Sequence, residues 1–369
     1  MPNQNITMRQ LMALLFTGLL SPAVRVLPGA TAALGGRAGW LSTLLALPLA
    51  LGLCWVLSAL FRRLPPGTGL GEACLLVLGK WPGRVLLTIY LLWGLFLLAA
   101  NTRLCGLRFL STGYRNGPLA LFLVALLGVV LWLTMKRLPA FARAGEIYAL
   151  ALAAALGVIL VFSLPQVEAA NFLPLWVEDL PAAGRSVLPA LGLLGYGIYG
   201  AFLFRAVKPR PNNRRRCLWR TGVFCLVMTA LQAVCLGSFG PDLVGRMETP
   251  FFMLARGIEV EGAFERVESV VIALWVLTDL VFLGLLLYAC CAAARALFGL
   301  KSEGRAAVPL AVLGLIGALF LFPNTFFLRD LMSGTAVTGN IILAFGVPLV
   351  LLGVAALRRM GTSCGKKEE

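Results

Sequence analysis

Long apolar runs separated by short polar loops recur along the whole chain. A helix needs about 20 predominantly apolar residues to cross roughly 30 Å of hydrocarbon. No polar stretch is long enough for a separate soluble domain, so the pattern predicts an all-α polytopic membrane protein with a single membrane domain, 1–369. A shorter apolar segment, 70–81, is expected to lie at the membrane interface. The ten predicted spans lie at about 8–34, 39–61, 83–111, 118–135, 142–162, 185–207, 220–239, 262–295, 307–322 and 335–357.

The composition also favours a membrane protein, and the distribution of its charges argues against a nucleic-acid-binding protein. Of 369 residues, 60% are hydrophobic and 13% are charged, and the mean hydropathy is +0.90. A soluble domain is typically about half apolar and about a quarter charged. The net charge of +16 would suggest a nucleic-acid partner, but the basic residues lie mostly in short loops between the spans. We therefore expect membrane lipid around the chain and no nucleic-acid partner.

The loop charges also predict an orientation. The loops after spans 2, 4, 6, 8 and 10 are rich in arginine and lysine, whereas the opposite loops hold most of the acidic residues. Basic loops of multi-pass proteins face the cytoplasm. With an even number of spans, both termini are predicted to be cytoplasmic, including a C-terminal tail at 358–369.

Two spans contain helix-weakening residues at corresponding places. Span 1 contains the sequence TGLLSP at 17–22, and span 6 contains GLLGYGIYG at 192–200. Glycine weakens a helix and proline removes a backbone donor. Inside a bilayer, such breaks survive only where protein or water satisfies the freed backbone groups. Spans 3 and 8 are both longer than the membrane core requires, which implies tilt.

These matched positions predict a leucine-transporter-like 5+5 inverted repeat, in which helices 1 and 6 are interrupted around a midplane site. The first repeat would cover about 8–163 and the second about 185–357. The alternative is that the glycines only let neighbouring helices approach closely, as small residues do in membranes.

Ionisable residues inside the spans are functional candidates because they are costly there. Asp279, near the middle of span 8, is a candidate ion or proton site, or else a structural partner for an arginine on a neighbouring helix. Arg25 could meet an acidic ligand or Asp279, or its side chain could extend to the outer interface. Asn101 and Arg103 in span 3 leave the same alternatives open. A further pair, Glu146 and Arg205, is expected to be structural.

The broken spans suggest what a central site could bind. Helix ends at a break offer free N–H groups to a carboxylate and free C=O groups to an ammonium group, which suits a zwitterion such as an amino acid. For the tyrosines, ordinary packing is the alternative. The candidate ligand-binding residues are Thr17, Gly18, Ser21, Arg25, Gly195, Tyr196, Gly197, Tyr199 and Thr278.

Other chemistry has little support in the sequence. The chain contains no histidine, and its nine cysteines form no CxxC pair, so we expect no metal, no cofactor and no enzymatic activity. Four acidic residues surround the predicted start of span 8, where they would complement the helix dipole or form an external docking patch. They are Glu259, Glu261, Glu265 and Glu268.

The segment 248–282, ETPFFMLARGIEVEGAFERVESVVIALWVLTDLVF, resembles a landmark of the spore germination permease family. This family provides the B subunit of nutrient germinant receptors. Shorter segments along nearly the full length also resemble it, and include RQLMALLFTGLL, GRAGWLSTLLA, FLPLW, YGIYGAFLF and LFPNTFF. The sequence departs from the family in span 1, where LSPAVR at 20–25 stands in place of a glycine-rich motif.

The resemblance implies a ten-span architecture of the amino acid–polyamine–organocation superfamily, located in the inner spore membrane. It also implies a subunit that binds a small germinant, often an amino acid, and helps trigger germination together with a larger membrane subunit and a lipoprotein subunit. The alternative is a secondary transporter of amino acids or cations from the same superfamily.

Overall fold

The computed structural model describes residues 5–112, 117–171, 175–257, 267–358 and 360. In that part of the chain the secondary structure is helical, apart from one parallel bridge between Ile6 and Val207. The helices are α1 (Met8–Gly35), α2 (Ser42–Arg62), α3 (Leu70–Leu78), α4 (Lys80–Thr112), α5 (Leu119–Met135), α6 (Leu138–Ser163), α7 (Leu180–Gly195), α8 (Ile198–Phe202), α9 (Asn213–Phe239), α10 (Pro241–Arg246), α11 (Pro250–Arg256), α12 (Val267–Phe298), α13 (Gly304–Phe320), α14 (Thr325–Ser333), α15 (Thr335–Ile341) and α16 (Val347–Leu357).

The described helices supply the ten predicted spans. Seven continuous helical stretches are long and apolar enough to cross a membrane, and the first of them, Met8–Arg62, contains both α1 and α2. Two shorter apolar helices, α5 and α13, supply two more spans. The sixth span consists of α7 and α8, and the tenth of α15 and α16 joined by a π-helical turn. The segment at 70–81 forms the short helix α3 and the start of α4.

Helix α1 is central to the packing. It contacts α6, α7, α9 and α12, while α4 packs along α12 and α13. Large apolar side chains on the outer helices remain exposed, such as Trp132 on α5 and Leu150 on α6, as expected of surfaces that face lipid. Helices α4 and α12 have 33 and 32 described residues, longer than the roughly 20 that a perpendicular span requires, so the prediction of two long spans is confirmed.

The predicted break in span 1 is wrong. Residues 8–35 form one continuous helix that contains Pro22 and Pro28. A proline removes only one backbone donor, and this helix tolerates that loss twice. Gly18 serves close packing instead, since a Cβ there would lie 3.3 Å from the Cα of Phe282 on α12. The small residue therefore lets α1 and α12 approach, which was the alternative explanation of the glycine pattern.

The break in span 6 is present but compact. Helix α7 ends at Gly195 and α8 begins at Ile198. Across the junction the backbone tightens into i→i−3 hydrogen bonds: the Tyr196 N–H donates to Leu193 (3.1 Å) and the Gly197 N–H donates to Leu194 (2.9 Å). Because these amides are already bonded, the junction does not offer the free N–H groups that an unwound break would present.

Several sequence predictions fall outside the described residues. These are Glu259, Glu261 and Glu265, the side chain of Glu268, and residues 361–369 of the predicted tail.

Near the N-terminus, Ile6 donates its N–H to the Ala206 carbonyl (2.7 Å), and its carbonyl accepts from the Lys208 N–H (2.9 Å). The N-terminal residues therefore lie at the same end of the bundle as the basic loop after span 6.

Candidate functional site

A buried ion pair lies between α4 and α12. The Asp279 carboxylate accepts hydrogen bonds from the Arg108 guanidinium and from the Ser21 hydroxyl on α1. Asp279 is 4% exposed and Arg108 is 7% exposed. The Arg108 guanidinium carbon also lies 4.8 Å from the centre of the Trp275 ring, within the range of a cation–π interaction. The structure thus supports the second interpretation of Asp279, as the partner of an arginine on a neighbouring helix.

Arg108 was missed by the sequence analysis. It lies near the end of a long span, where an arginine usually extends to the interface, so its position alone gives no sign of a buried partner. The pairing depends on the packing of α4 against α12, which brings residues 171 positions apart into contact. Removing one partner of such a pair typically costs about 3–5 kcal/mol, because the other charge is left buried and uncompensated.

Arg25 lies one helical turn after Ser21, also in the interior, and is 8% exposed. Its Nη2 donates to the Asn101 side-chain oxygen (2.7 Å), and its Nη1 lies 3.6 Å from the Cys105 sulfur. Its Nε has no hydrogen-bond partner among the described residues. No described carboxylate forms a salt bridge with Arg25. The side chain therefore does not extend to the interface, and its hydrogen-bond partners among the described residues are neutral groups.

Asn101 connects Arg25 to the break in span 6. Its side-chain NH₂ donates to the Tyr196 hydroxyl (3.2 Å) and to the Leu97 carbonyl (2.9 Å). The Tyr196 ring packs edge-on against Phe282, with 5.2 Å between the ring centroids. Four of the predicted site residues thus meet in one buried cluster that also includes residues from α4. We call the set Ser21, Arg25, Asn101, Cys105, Arg108, Tyr196 and Asp279 the central polar cluster.

Three other candidates lie outside this cluster, and two of them have separate hydrogen-bond partners. The Thr17 hydroxyl donates to the Gly145 carbonyl on α6 (3.3 Å), and the Thr278 hydroxyl bonds within its own helix to Trp275 (2.7 Å). The Tyr199 hydroxyl is buried and has no hydrogen-bond partner in the described part of the chain. None of the three joins the central polar cluster.

Close packing against a neighbouring helix explains Gly195 of span 6 but not Gly197. A Cβ at Gly195 would lie 2.9 Å from Asn340 on α15, whereas Gly197 has only the Leu194 carbonyl nearby, at 3.0 Å. Asn340 itself was missed by the sequence analysis. Its side chain accepts from the Trp93 indole (2.9 Å) and donates to the Gly192 carbonyl (2.9 Å). It thereby holds α4, α7 and α15 together beside the break.

The central polar cluster is closed in this conformation. The cavity beside Cys105, Arg108, Trp275 and Asp279 has a volume of only about 10 Å³. That is close to the smallest space that holds one water molecule. Any larger ligand would require the surrounding helices to separate.

The expected pair between Glu146 and Arg205 is not formed. Glu146 accepts from Arg9 (2.6 Å), and Arg205 lies 3.5 Å from Glu72. Glu72 also binds Arg295, which in turn lies 3.3 Å from Glu303. Burial raises the pKa of the Glu303 carboxyl above its ordinary value, and the charge of Arg295 opposes that rise. These contacts join α1 to α6 and α3 to α12 at the end of the bundle that carries the basic loop after span 6, which we call the basic end.

The fold is shared with membrane transporters of known structure. A Na⁺-coupled sialic acid symporter in a substrate-bound, outward-open state matches with a TM-score of 0.62 and 12% identity, over 92% of this chain and 79% of the symporter. Mhp1, a nucleobase-cation-symport-1 family transporter in a closed conformation with bromovinylhydantoin bound, matches with a TM-score of 0.61 and 12% identity, over 96% and 94% of the two chains. A manganese transporter from Eremococcus coleocola gives a TM-score of 0.53 at 13% identity, over 96% and 81%.

These likenesses define the class: a multi-pass helical membrane protein with the leucine-transporter-like fold, as the sequence predicted. Residues 5–326 match the model of the family described as spore germination protein, and the chain belongs to that family. Both the family and the fold are those of permeases and transporters rather than of enzymes. Among curated proteins, no sequence matches this chain.

Proposed function

We propose that this chain is the permease-like subunit of a germinant receptor, and that its central polar cluster binds a small nutrient that carries a carboxylate, such as an amino acid. The observation that carries the proposal is the charge of the cluster. It contains two buried guanidinium groups, Arg25 and Arg108, but Asp279 is its one described carboxylate.

The charge imbalance favours an anionic ligand group. Asp279 already binds Arg108, so Arg25 is left with the neutral partners Asn101 and Cys105. A buried charge without an opposite charge is costly, and a carboxylate beside Arg25 would remove much of that cost. Arg25 also lies in the segment, 20–25, where this chain departs from the glycine-rich motif of the family it resembles. We infer that the arginine supplies a contact that a glycine cannot.

The candidate residues beside the break complete the proposed site. Tyr196 and Gly197 form the junction between α7 and α8, and the Tyr196 hydroxyl is joined to Arg25 through Asn101. A ligand that displaces Asn101 from Arg25 would break this link and disturb the junction. Such a change at the break would convert binding into a conformational signal. Asp279 stays a candidate for an ion or proton role, although its hydrogen bonds favour a structural one.

The receptor setting is part of the same proposal. The subunit would act in the spore inner membrane, with both termini in the cytoplasm, beside a larger membrane subunit and a lipoprotein subunit. Membership of the spore germination protein family supports this setting.

A secondary transporter of amino acids or cations is the second candidate. It is favoured by the fold shared with a Na⁺-coupled symporter and a cation symporter. Uptake of labelled amino acids into proteoliposomes containing only this chain would support the transporter and contradict a purely sensory role.

The test of the site uses Arg25→Gln and Arg25→Lys, with Arg37→Gln as the matched control because Arg37 is exposed and lies beyond the cluster. Germination of spores carrying each variant is followed with a panel of amino acids, while the level of each protein is measured by immunoblot. We expect Arg25→Gln to abolish the response, Arg25→Lys to retain part of it, and Arg37→Gln to leave it unchanged. A normal response from Arg25→Gln at normal protein level would refute the proposed site.

A further inference from the structure

A second, much larger cavity lies away from the central polar cluster. It is a cleft of about 930 Å³ between α1, α2, α6 and α9. Its floor is formed by apolar side chains of α1 and α2, including Phe16 and Leu53, and its rims are Leu150 on α6 and Val223 on α9. Its polar side chains are gathered at the basic end of the bundle. We propose that this cleft binds an anionic phospholipid of the surrounding membrane, with one acyl chain between α6 and α9.

The open side of the cleft favours a lipid over a water-borne ligand. Leu150 on the rim is 75% exposed, and its neighbour Ile147, which also lines the cleft, is 69% exposed. Both lie on a spanning helix, so the surface around this opening is apolar and faces hydrocarbon. An acyl chain can enter sideways from the bilayer without crossing water, whereas a polar nutrient would have to leave water to do so.

The mouth of the cleft fits one anionic headgroup. The mouth is formed by the four charged residues of the lining, Arg9, Arg143, Glu146 and Arg220. Arg9 is already paired with the Glu146 carboxylate at 2.6 Å. The other two, Arg143 and Arg220, form no salt bridge with any described carboxylate. Arg143 donates to the Pro139 carbonyl (3.2 Å) and Arg220 donates to the Arg9 carbonyl (3.0 Å), which leaves further N–H groups of each guanidinium available. A lipid phosphate placed between them would gain two charge-assisted hydrogen-bonding partners.

Any preference of the cleft for one phospholipid over another must come from the charged residues at its mouth. An acyl chain gains little by moving from bilayer to cleft, because lipid tails are as apolar as the leucines that would surround it. Basic pockets between spanning helices at the cytoplasmic side are known places for anionic headgroups. The cleft should therefore prefer phosphatidylglycerol to phosphatidylcholine of the same chain length. At its inner end the cleft is lined by Leu194 and Gly197, so the bound lipid would lie against the break in span 6.

The experiment measures lipids retained by the purified full-length chain. The protein is exchanged into micelles that contain equal amounts of phosphatidylglycerol and phosphatidylcholine, and bound lipids are counted by native mass spectrometry. We expect one phosphatidylglycerol to be retained in preference to phosphatidylcholine. Replacing both arginines (Arg143→Gln and Arg220→Gln) should reduce that preference by about 30-fold, the factor expected for two arginines near an anionic lipid surface.

A second variant tests the cleft by shape. Ala153→Trp fills it from α6, while Ala154→Trp adds the same bulk to an exposed neighbour that does not line it. Ala153→Trp should lose the retained lipid, and Ala154→Trp should keep it. For the arginine variants, the matched control is Arg215→Gln, which removes an exposed charge on α9. Size-exclusion profiles establish that each variant is folded.

Three outcomes would overturn the proposal: equal retention of the two lipids, equal effects of the two tryptophans, or displacement of the lipid by a free amino acid at millimolar concentration in the Arg25→Gln variant, in which the central site is disabled. The last would identify the cleft as the route of the germinant.

Discussion

Replacing Asp279 with asparagine tests whether the buried ion pair is a structural element. The substitution keeps the shape of the side chain but leaves the Arg108 guanidinium, which is 7% exposed, without its carboxylate. From buried pairs of this kind we expect a loss of about 3–5 kcal/mol in the free energy of unfolding. The Ser21 hydroxyl can still bond to the amide oxygen, so the loss reports mainly on the charge.

A double variant separates the pair from its parts. In Asp279→Asn with Arg108→Met, neither charge remains and the methionine can pack against Trp275. Replacing a buried ion pair by apolar groups of similar size is often neutral or stabilising, so the double variant should recover most of the lost stability. The free energy of unfolding is measured by equilibrium unfolding in mixed detergent micelles for Asp279→Asn and for the double variant. The Arg108→Met single variant completes the double-mutant cycle.

The matched control is the exposed pair between Glu248 and Arg329, whose side chains are 63% and 46% exposed. Its carboxylate variant, Glu248→Gln, should change the free energy of unfolding by no more than about 1 kcal/mol. The reasoning is refuted if Asp279→Asn is no more destabilising than this control, or if the double variant loses the sum of the two single losses. In the first case the carboxylate would have no structural role, and an ion or proton role would become the better explanation.

Three further outcomes follow from contacts elsewhere in the bundle. The sulfurs of Cys54 on α2 and Cys217 on α9 lie 3.3 Å apart, so a thiol oxidant should join them into a disulfide. Maleimide labelling should then count two fewer thiols after oxidation of the unmodified chain, and no such loss in Cys217→Ala. Gln232→Leu should lower the free energy of unfolding by about 1–3 kcal/mol, measured by chemical unfolding, because three buried hydroxyl groups of α1 and α2 lose their shared partner. Gly197→Leu should abolish the germination response at normal protein level, since a Cβ there would lie 3.0 Å from the Leu194 carbonyl and crowd the backbone at the break; an unchanged response would contradict a role for that junction.

The spans were predictable from sequence because hydrophobicity over about 20 residues is a local property. The same reasoning placed Asp279 near the middle of span 8, where it is buried, and left open whether Arg25 faces the interior, as it does, or the interface. It could not find Arg108 or Asn340, because their importance depends on which helices pack together. It also predicted a break at Pro22 that is absent. Local helix weakness cannot reveal that the surrounding helices hold the segment straight enough to continue.

The continuity of α1 changes how a signal could leave the central polar cluster. In an interrupted span, movement at Arg25 could be absorbed at the break before it reached the N-terminal half. Here one helix carries Arg25, Ser21 and Thr17, and continues to Arg9 at the basic end, where it is held by Glu146. A ligand that moves Arg25 must therefore displace or tilt the whole helix, including the face that forms the floor of the lipid cleft. By linkage, a lipid that prefers one position of α1 must alter the affinity of the central site by the same factor that the ligand alters affinity for the lipid. Membrane composition would then set the threshold at which the nutrient is sensed.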